Sequence, residues 1–377
     1  MQLIAWSIPG FIVLMALEAW LARRRGLRLY RLPVAISDLS CGITSQLFNL
    51  VAFGVGVAIY AWVYQWRVFE MDAGSAWVWL LAMLGVDLLY YFWHRASHEV
   101  NILWAAHVVH HHSEDYNLAV ALRQAMLTSF TLLPFLLPLA LLGVPPLVYA
   151  ASKALNTLYQ FWIHTELIGR LGPVEKVLNT PSHHRVHHGI NPRYLDRNYG
   201  GILITWDRIF GTFEPEGEKA VYGTTKPLRS LNPLWANFHY YTEIGRLAAS
   251  ATRWQDRLYA LVAHPGWRPG MSDAGIPDAS LLDADALRLR AIRRYDTPAS
   301  RGLSLYVAAQ TLLAIPATML LLIYGRSLPG AQLLAGVALV GVGAVIWAGL
   351  FERRRWAWPL EVLRVAASVL LLRAILG

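Results

Sequence analysis

Eight of the chain's thirteen histidines fall into three short runs. His94 and His98 stand four residues apart. His107, His110 and His111 are spaced by three and four, and so are His184, His187 and His188. Imidazole is the commonest neutral metal ligand at physiological pH. Residues three and four apart share one side of a helix, so each run can aim several ring nitrogens the same way. Structural zinc needs only four ligands, so eight suit two ions. A donor set of imidazoles without sulfur suits iron, zinc, copper or nickel. Two redox-active irons beside a lipid-accessible cavity would reduce dioxygen and attack an unactivated C–H bond.

Other residues are candidates by position. His164 ends an apolar segment and reads as a ninth ligand. His112 and His183 abut the runs; a helix cannot aim adjacent residues at one point, so they read as donors outside the ligand set. Asp115 and Asn117 are candidates for the same outer role. Glu99 directly follows His98 and is a candidate to orient an imidazole or to lie near the metal or a cofactor; a solvated charge, ion-paired with Arg95 four residues earlier, is its plainer use. His239 and His264 lie far along the chain and read as surface or packing residues.

The elements that must position these side chains are apolar. The chain has 377 residues, 56% hydrophobic and 15% charged, against about 25% charged in a soluble domain. The fold class expected is therefore all-α: a polytopic integral membrane protein. A span needs roughly 20 apolar residues. Residues 3–22, 41–64 and 76–93 qualify, as do 303–324, 331–351 and 358–376. Ser37-Asp38 is a possible helix start for the second. The first lacks preceding positive charges and reads as a retained span, not a cleaved signal. Residues 127–142 and 145–163 carry Pro134, Pro138 and a Gly143-Val144-Pro145-Pro146 break, so they read as full spans or as a short hairpin.

Four sections are expected: N-terminal spans over 1–75, a catalytic domain over 76–245, a linking segment over 246–300 and C-terminal spans over 301–377. Residues 268–280, rich in Gly, Pro, Asp and Ser, read as a loop. The net charge of +9 comes largely from short arginine clusters beside the spans. They read as topology signals and contacts to anionic lipid, so nucleic acid is not expected as a partner. The arginines at 23–31 place the loop after the first span in the cytoplasm, and counting crossings brings all three histidine runs to that side. The Ala/Leu/Arg-rich composition points to a bacterial inner membrane. Cys41 is the single cysteine, which excludes an internal disulfide and a cysteine-based metal site.

The His-x3-His, His-x2-His-His, His-x2-His-His series resembles the membrane di-iron enzymes of the fatty acid hydroxylase/sterol desaturase superfamily. Residues 94–101, 113–117, 121–124, 159–166 and 179–189, with Asn198-Tyr199 and 206–214, are similar to its ether-lipid branch, the glyceryl-ether monooxygenases. The resemblance implies two iron ions held by the eight motif histidines, an acidic active-site residue at Glu99, dioxygen and tetrahydrobiopterin. It implies hydroxylation of the carbon next to the ether oxygen of a lipid drawn from the bilayer. A fatty acyl or sterol hydroxylase or desaturase with a ferredoxin or cytochrome donor is the nearest alternative. A metal transporter would place its ligands near the middle of several spans. A zinc hydrolase would need fewer histidines, and no His-Glu-x-x-His string is present.

Overall fold

The computed structural model describes residues 2–271 and 282–376. Most of the loop expected over 268–280 lies outside the described residues. Those described form helices α1 (Gln2–Arg24), α2 (Leu32–Val63), α3 (Ala76–Glu99), α4 (Asn101–Ala105), α5 (Val108–His111), α6 (Leu118–Ala121), α7 (Thr128–Leu142), α8 (Pro146–Trp162), α9 (Pro181–His187) and α10 (Thr205–Ile209). They continue as α11 (Pro233–Ser250), α12 (Trp254–Val262), α13 (Ala284–Ile292), α14 (Arg301–Tyr324), α15 (Gly330–Phe351) and α16 (Ala357–Leu376). Among the described residues there is no strand, only the isolated bridges Leu178–Leu203 and Gly189–Tyr222.

Five of these helices are long and apolar enough to cross a membrane: α1, the first part of α2, α3, α14 and α15. Their outer faces carry exposed tryptophans such as Trp6, Trp62 and Trp77, which suit the lipid–water boundary. α2 starts at Leu32, before the expected 41–64 span, because Pro33 sits in its first turn, where a missing N–H costs nothing. Ser37 and Asp38 are therefore inside the helix, not at its cap. α7 and α8 form the short alternative: fifteen and seventeen residues reach only about 22–26 Å at 1.5 Å per residue, less than the roughly 30 Å core. Gly143 turns between them with φ +107°, and a Cβ there would lie 2.0 Å from the Phe69 carbonyl oxygen. α16 is helical as expected but carries Glu361, Arg364 and Arg373; Glu361 and Arg364 pair at 2.7 Å.

One apolar core joins α3, α7 and α8 around Trp93 and Leu136. A second joins α2, α14 and α15 around Leu47 and Trp347. At one end of these helices the loops tie together. Arg25 donates to the Leu167 carbonyl at 3.2 Å, Arg31 pairs with Asp115 at 3.0 Å, and Arg353 donates to the Pro298 carbonyl at 3.0 Å. The arginine-rich loop after α1, the loop after α15 and the histidine runs thus share one end of the bundle.

Candidate metal centre

Nine buried histidines gather in two groups, each with ligand atoms within 4.8 Å of one another: His94, His98, His107, His111 and His187; and His110, His164, His184 and His188. The groups cut across the sequence runs. Pairs four apart stay together (94 with 98, 107 with 111, 184 with 188), whereas residues three apart separate. At about 100° per residue, a step of four turns the side chain by roughly +40° and a step of three by roughly −60°. His110 and His111 therefore diverge from His107 on opposite sides and join different groups. His164, leaving α8, completes the second.

The protonation pattern fits a cation. The Nδ1 of His110 lies 3.1 Å from the Arg123 carbonyl oxygen and that of His164 lies 2.7 Å from the Gln160 carbonyl oxygen. A carbonyl only accepts, so each Nδ1 carries the hydrogen and each Nε2 presents a lone pair. Yet those two Nε2 atoms face each other at 3.1 Å. Burial pushes His110 down to about 4, and burial followed by the neighbouring His110 lowers His164, so neither is protonated near neutral pH. Two lone pairs at this distance repel unless a cation lies between them. Nitrogens bound at right angles, each about 2.1 Å from one ion, would lie about 3.0 Å apart. The His94–His107 and His164–His184 Nε2 pairs are both at 3.0 Å. His98, His187 and His188 each bury an Nε2 with no partner.

The rings are oriented from behind, as metal-ligating imidazoles usually are. The Nδ1 of His94 donates to the Tyr199 carbonyl at 2.8 Å and that of His187 to the Arg197 carbonyl at 3.1 Å. Asp207 holds the Tyr199 loop by accepting from the N–H groups of Tyr199 and Gly200 at 2.7 and 2.8 Å. Asp87, fully buried in α3, accepts from Asn156, the Ile202 and Leu203 N–H groups and Trp206 at 2.7–3.0 Å. Gly201 permits this approach: a Cβ there would lie 2.8 Å from Asp87 Oδ1. Arg185 on α9 grips Glu216 at 2.6 and 2.8 Å and the Thr165 carbonyl at 2.9 Å, joining the third run to the segment after His164.

Asp196 is a residue that sequence spacing missed. Its Oδ1 lies 3.4 Å from His98 Nδ1 and its Oδ2 3.3 Å from His264 Nε2. Burial opposes its charge, but hydrogen bonds from His264 and His98 outweigh burial and hold the carboxyl below its usual range. Asp196 and Asn198 both take positive φ, +56° and +58°, which marks a constrained loop that the sequence spacing does not reveal. His264 is thus no isolated surface residue. Asp196→Asn keeps the size but loses the charge opposite His98. It is expected to lower metal affinity roughly 10–100-fold, read by metal retained during titration with a chelator.

The remaining candidates go elsewhere. His112 packs on His239 with ring centroids 4.7 Å apart, and His183 packs on Phe213 at 5.4 Å; neither belongs to a histidine group. Asp115 does not reach the imidazoles because Arg31 and Arg294 both engage it at 3.0 Å. Asn117 caps α6, accepting from Ala119 N–H at 3.0 Å. Glu99 also lies outside both groups. It pairs with Arg95 at 2.8 Å and its side chain is 43% exposed. Such a pair is worth about 0.2–0.5 kcal/mol. Glu99→Gln is expected to keep the bound metal and to change turnover less than twofold, measured side by side; a tenfold loss with metal intact would return the carboxylate to the reaction.

Two cavities reach the centre. An apolar one of about 320 Å³ runs between α1, α2, α3, α7 and α8, lined by Phe11, Ile43, Trp93, Leu133 and Phe161, and meets His107, His110 and His164. A more polar one of about 500 Å³ is bounded by α4, α11 and loops of the polar segment, and meets His98, His111, His187 and His188.

Residues 79–212 match the fatty acid hydroxylase family. Alkylglycerol monooxygenase of Homo sapiens is 45% identical over 276 residues, 72% of this chain and 61% of that protein. Alkylglycerol monooxygenase of Danio rerio is 41% identical over 340 residues, 90% of this chain and 75% of that protein. The ornithine lipid hydroxylase OlsE of Rhizobium tropici is 30% identical over 166 residues, 40% of this chain and 44% of that protein. The chain spans less than two thirds of the human protein and of its Xenopus tropicalis counterpart, 61% and 60%. No solved structure matches the chain. The chain belongs to the alkylglycerol monooxygenase family, among the membrane-bound fatty acid hydroxylases.

Proposed function

We propose that this protein is a dioxygen-dependent lipid monooxygenase that cleaves alkylglycerol ethers, with two iron ions held by the two histidine groups. The observation that carries the reading is the apolar cavity that leads from among the spanning helices to His107, His110 and His164. Its size suits an alkyl chain, and its walls exclude water from the reacting carbon. Gln46, Asn49 and Gln124 line the same cavity and offer amide groups to glycerol hydroxyls. The Nδ1–H groups of His94, His110, His164 and His187 stay on backbone carbonyls, keeping their Nε2 atoms free to bind metal. The bound irons would supply dioxygen activation and oxidation of an unactivated C–H bond. One oxygen atom enters the C–H bond beside the ether oxygen; two electrons and two protons convert the other to water. The hemiacetal then collapses to a fatty aldehyde and a glycerol derivative.

Tetrahydrobiopterin is the proposed reductant, on the resemblance of the motifs. The proposed setting is a bacterial inner membrane with the centre facing the cytoplasm. That orientation is supported by the arginine-rich loop at the same end of the bundle. A tag inserted beside Gly26 is expected to be reachable only from the cytoplasm in protease-protection measurements. For the activity, protein purified anaerobically in nanodiscs is expected to hold about two irons per chain. Given dioxygen, tetrahydrobiopterin and an alkylglycerol, it should release fatty aldehyde. A single zinc per chain with no oxygen consumption would overturn the reading.

A further inference from the structure

Only four of the chain's 33 basic residues are lysines: Lys153, Lys176, Lys219 and Lys226. The last three stand exposed on the polar segment, whereas Lys153 lies in α8, half-buried on the wall of the apolar cavity. It is the single lysine or arginine on that wall, and no carboxylate lines the cavity. Among the described residues its amine has no charged or hydrogen-bonding partner. An ionisable side chain among membrane helices is costly, and it marks a substrate path or a site. The choice of cation matters in a chain that otherwise relies on arginine. Arginine stays protonated, whereas a lysine in apolar surroundings gives up its proton and becomes a nucleophile.

Lys153, Thr157 and Gln160 follow one face of α8, and His164 continues it just past the helix; all four line the cavity. The Thr157 hydroxyl donates to the Lys153 carbonyl at 3.0 Å, and Gln160 Oε1 accepts from Tyr90 at 2.8 Å, so neither occupies the amine. From Lys153 to His164 is about 16 Å of helix at 1.5 Å per residue. An apolar product formed at the centre and leaving along α8 for the bilayer passes the amine. We propose that Lys153 captures the fatty aldehyde product as a reversible imine. This rests on the ether-cleavage reading above. The nitrogen lone pair adds to the carbonyl carbon, an N–H proton passes to the oxygen, and the resulting carbinolamine loses water. One amine and one aldehyde give one imine and one water, with no oxidant or reductant. Addition of water reverses the steps and frees the aldehyde.

The probe is hexadecanal, added with cyanoborohydride to full-length protein in phosphatidylcholine nanodiscs, a lipid without a primary amine. Cyanoborohydride fixes an imine as a secondary amine. Peptide mass spectrometry is expected to find one hexadecyl group per chain, on Lys153. Its labelling should exceed that of Lys176, Lys219 and Lys226 at least about tenfold, because apolar surroundings favour the neutral amine. Excess alkylglycerol should protect Lys153, and Lys153→Arg should remove the label with iron content unchanged. In turnover of an alkylglycerol with cyanoborohydride present, the same lysine should acquire the alkyl chain of the substrate. Labelling of Lys153 no greater than that of the three exposed lysines, or unaffected by alkylglycerol, overturns the proposal. Labelling by added hexadecanal in protein that makes no aldehyde would uphold the amine site and overturn the ether-cleavage reading alone.

Discussion

His164→Ala is expected to cost one of the two ions and nearly all activity. The second group is His110, His164, His184 and His188, and His164 faces both His110 and His184 at 3.0–3.1 Å. Its removal leaves three imidazoles and opens the side that meets the apolar cavity. Metal analysis of the purified variant should fall from about two irons per chain to about one. Aldehyde formation should drop at least roughly 10³-fold, equivalent to about 4 kcal/mol of barrier. His183→Gln, next to the third run but outside both groups, should keep both ions. A His164→Ala protein with full iron would remove His164 from the ligand set.

The second large effect is on folding. Arg123 is 3% exposed and Asp38 fully buried, and they pair at 3.0 Å. Arg123 also donates to the Val109 carbonyl at 2.7 Å and to Ser37 at 3.1 Å, while its own carbonyl holds His110. One side chain thus joins α2 to the second histidine run. Arg123→Met leaves the buried Asp38 carboxyl without its counter-charge, a change worth about 3–5 kcal/mol against a total stability of about 5–15. Thermal unfolding in detergent should show a much lower midpoint and a poor folded yield. Arg123→Met with Asp38→Leu removes both charges and should recover most of the stability, because a buried ion pair replaced by apolar groups is often neutral. A single variant within 1 kcal/mol of wild type would rule out the pair as an anchor.

Local pattern carried much of this protein into view. Hydropathy over about 20 residues marked the long helices α1, α3, α14 and α15, because the bilayer acts as solvent on every residue of a span. Spacings of three and four marked the histidine runs, because helix geometry sets ring direction over a single turn. The position of His164 at the end of an apolar segment placed it beside them. What spacing could not settle was which ring joins which group. His110 and His111 are neighbours in sequence yet separate, since the partners each meets come from α3, from α9 or from His164 just past α8, elements outside their own turn. Likewise His112 and His183 turn to His239 and Phe213, and Glu99 turns to Arg95. Asp87 and Asp196 stand in no motif, and Arg123 and Asp207 lie in stretches 121–124 and 206–214 that resemble the family without showing what either side chain does. Their roles depend on partners distant in sequence, which the fold alone brings within reach.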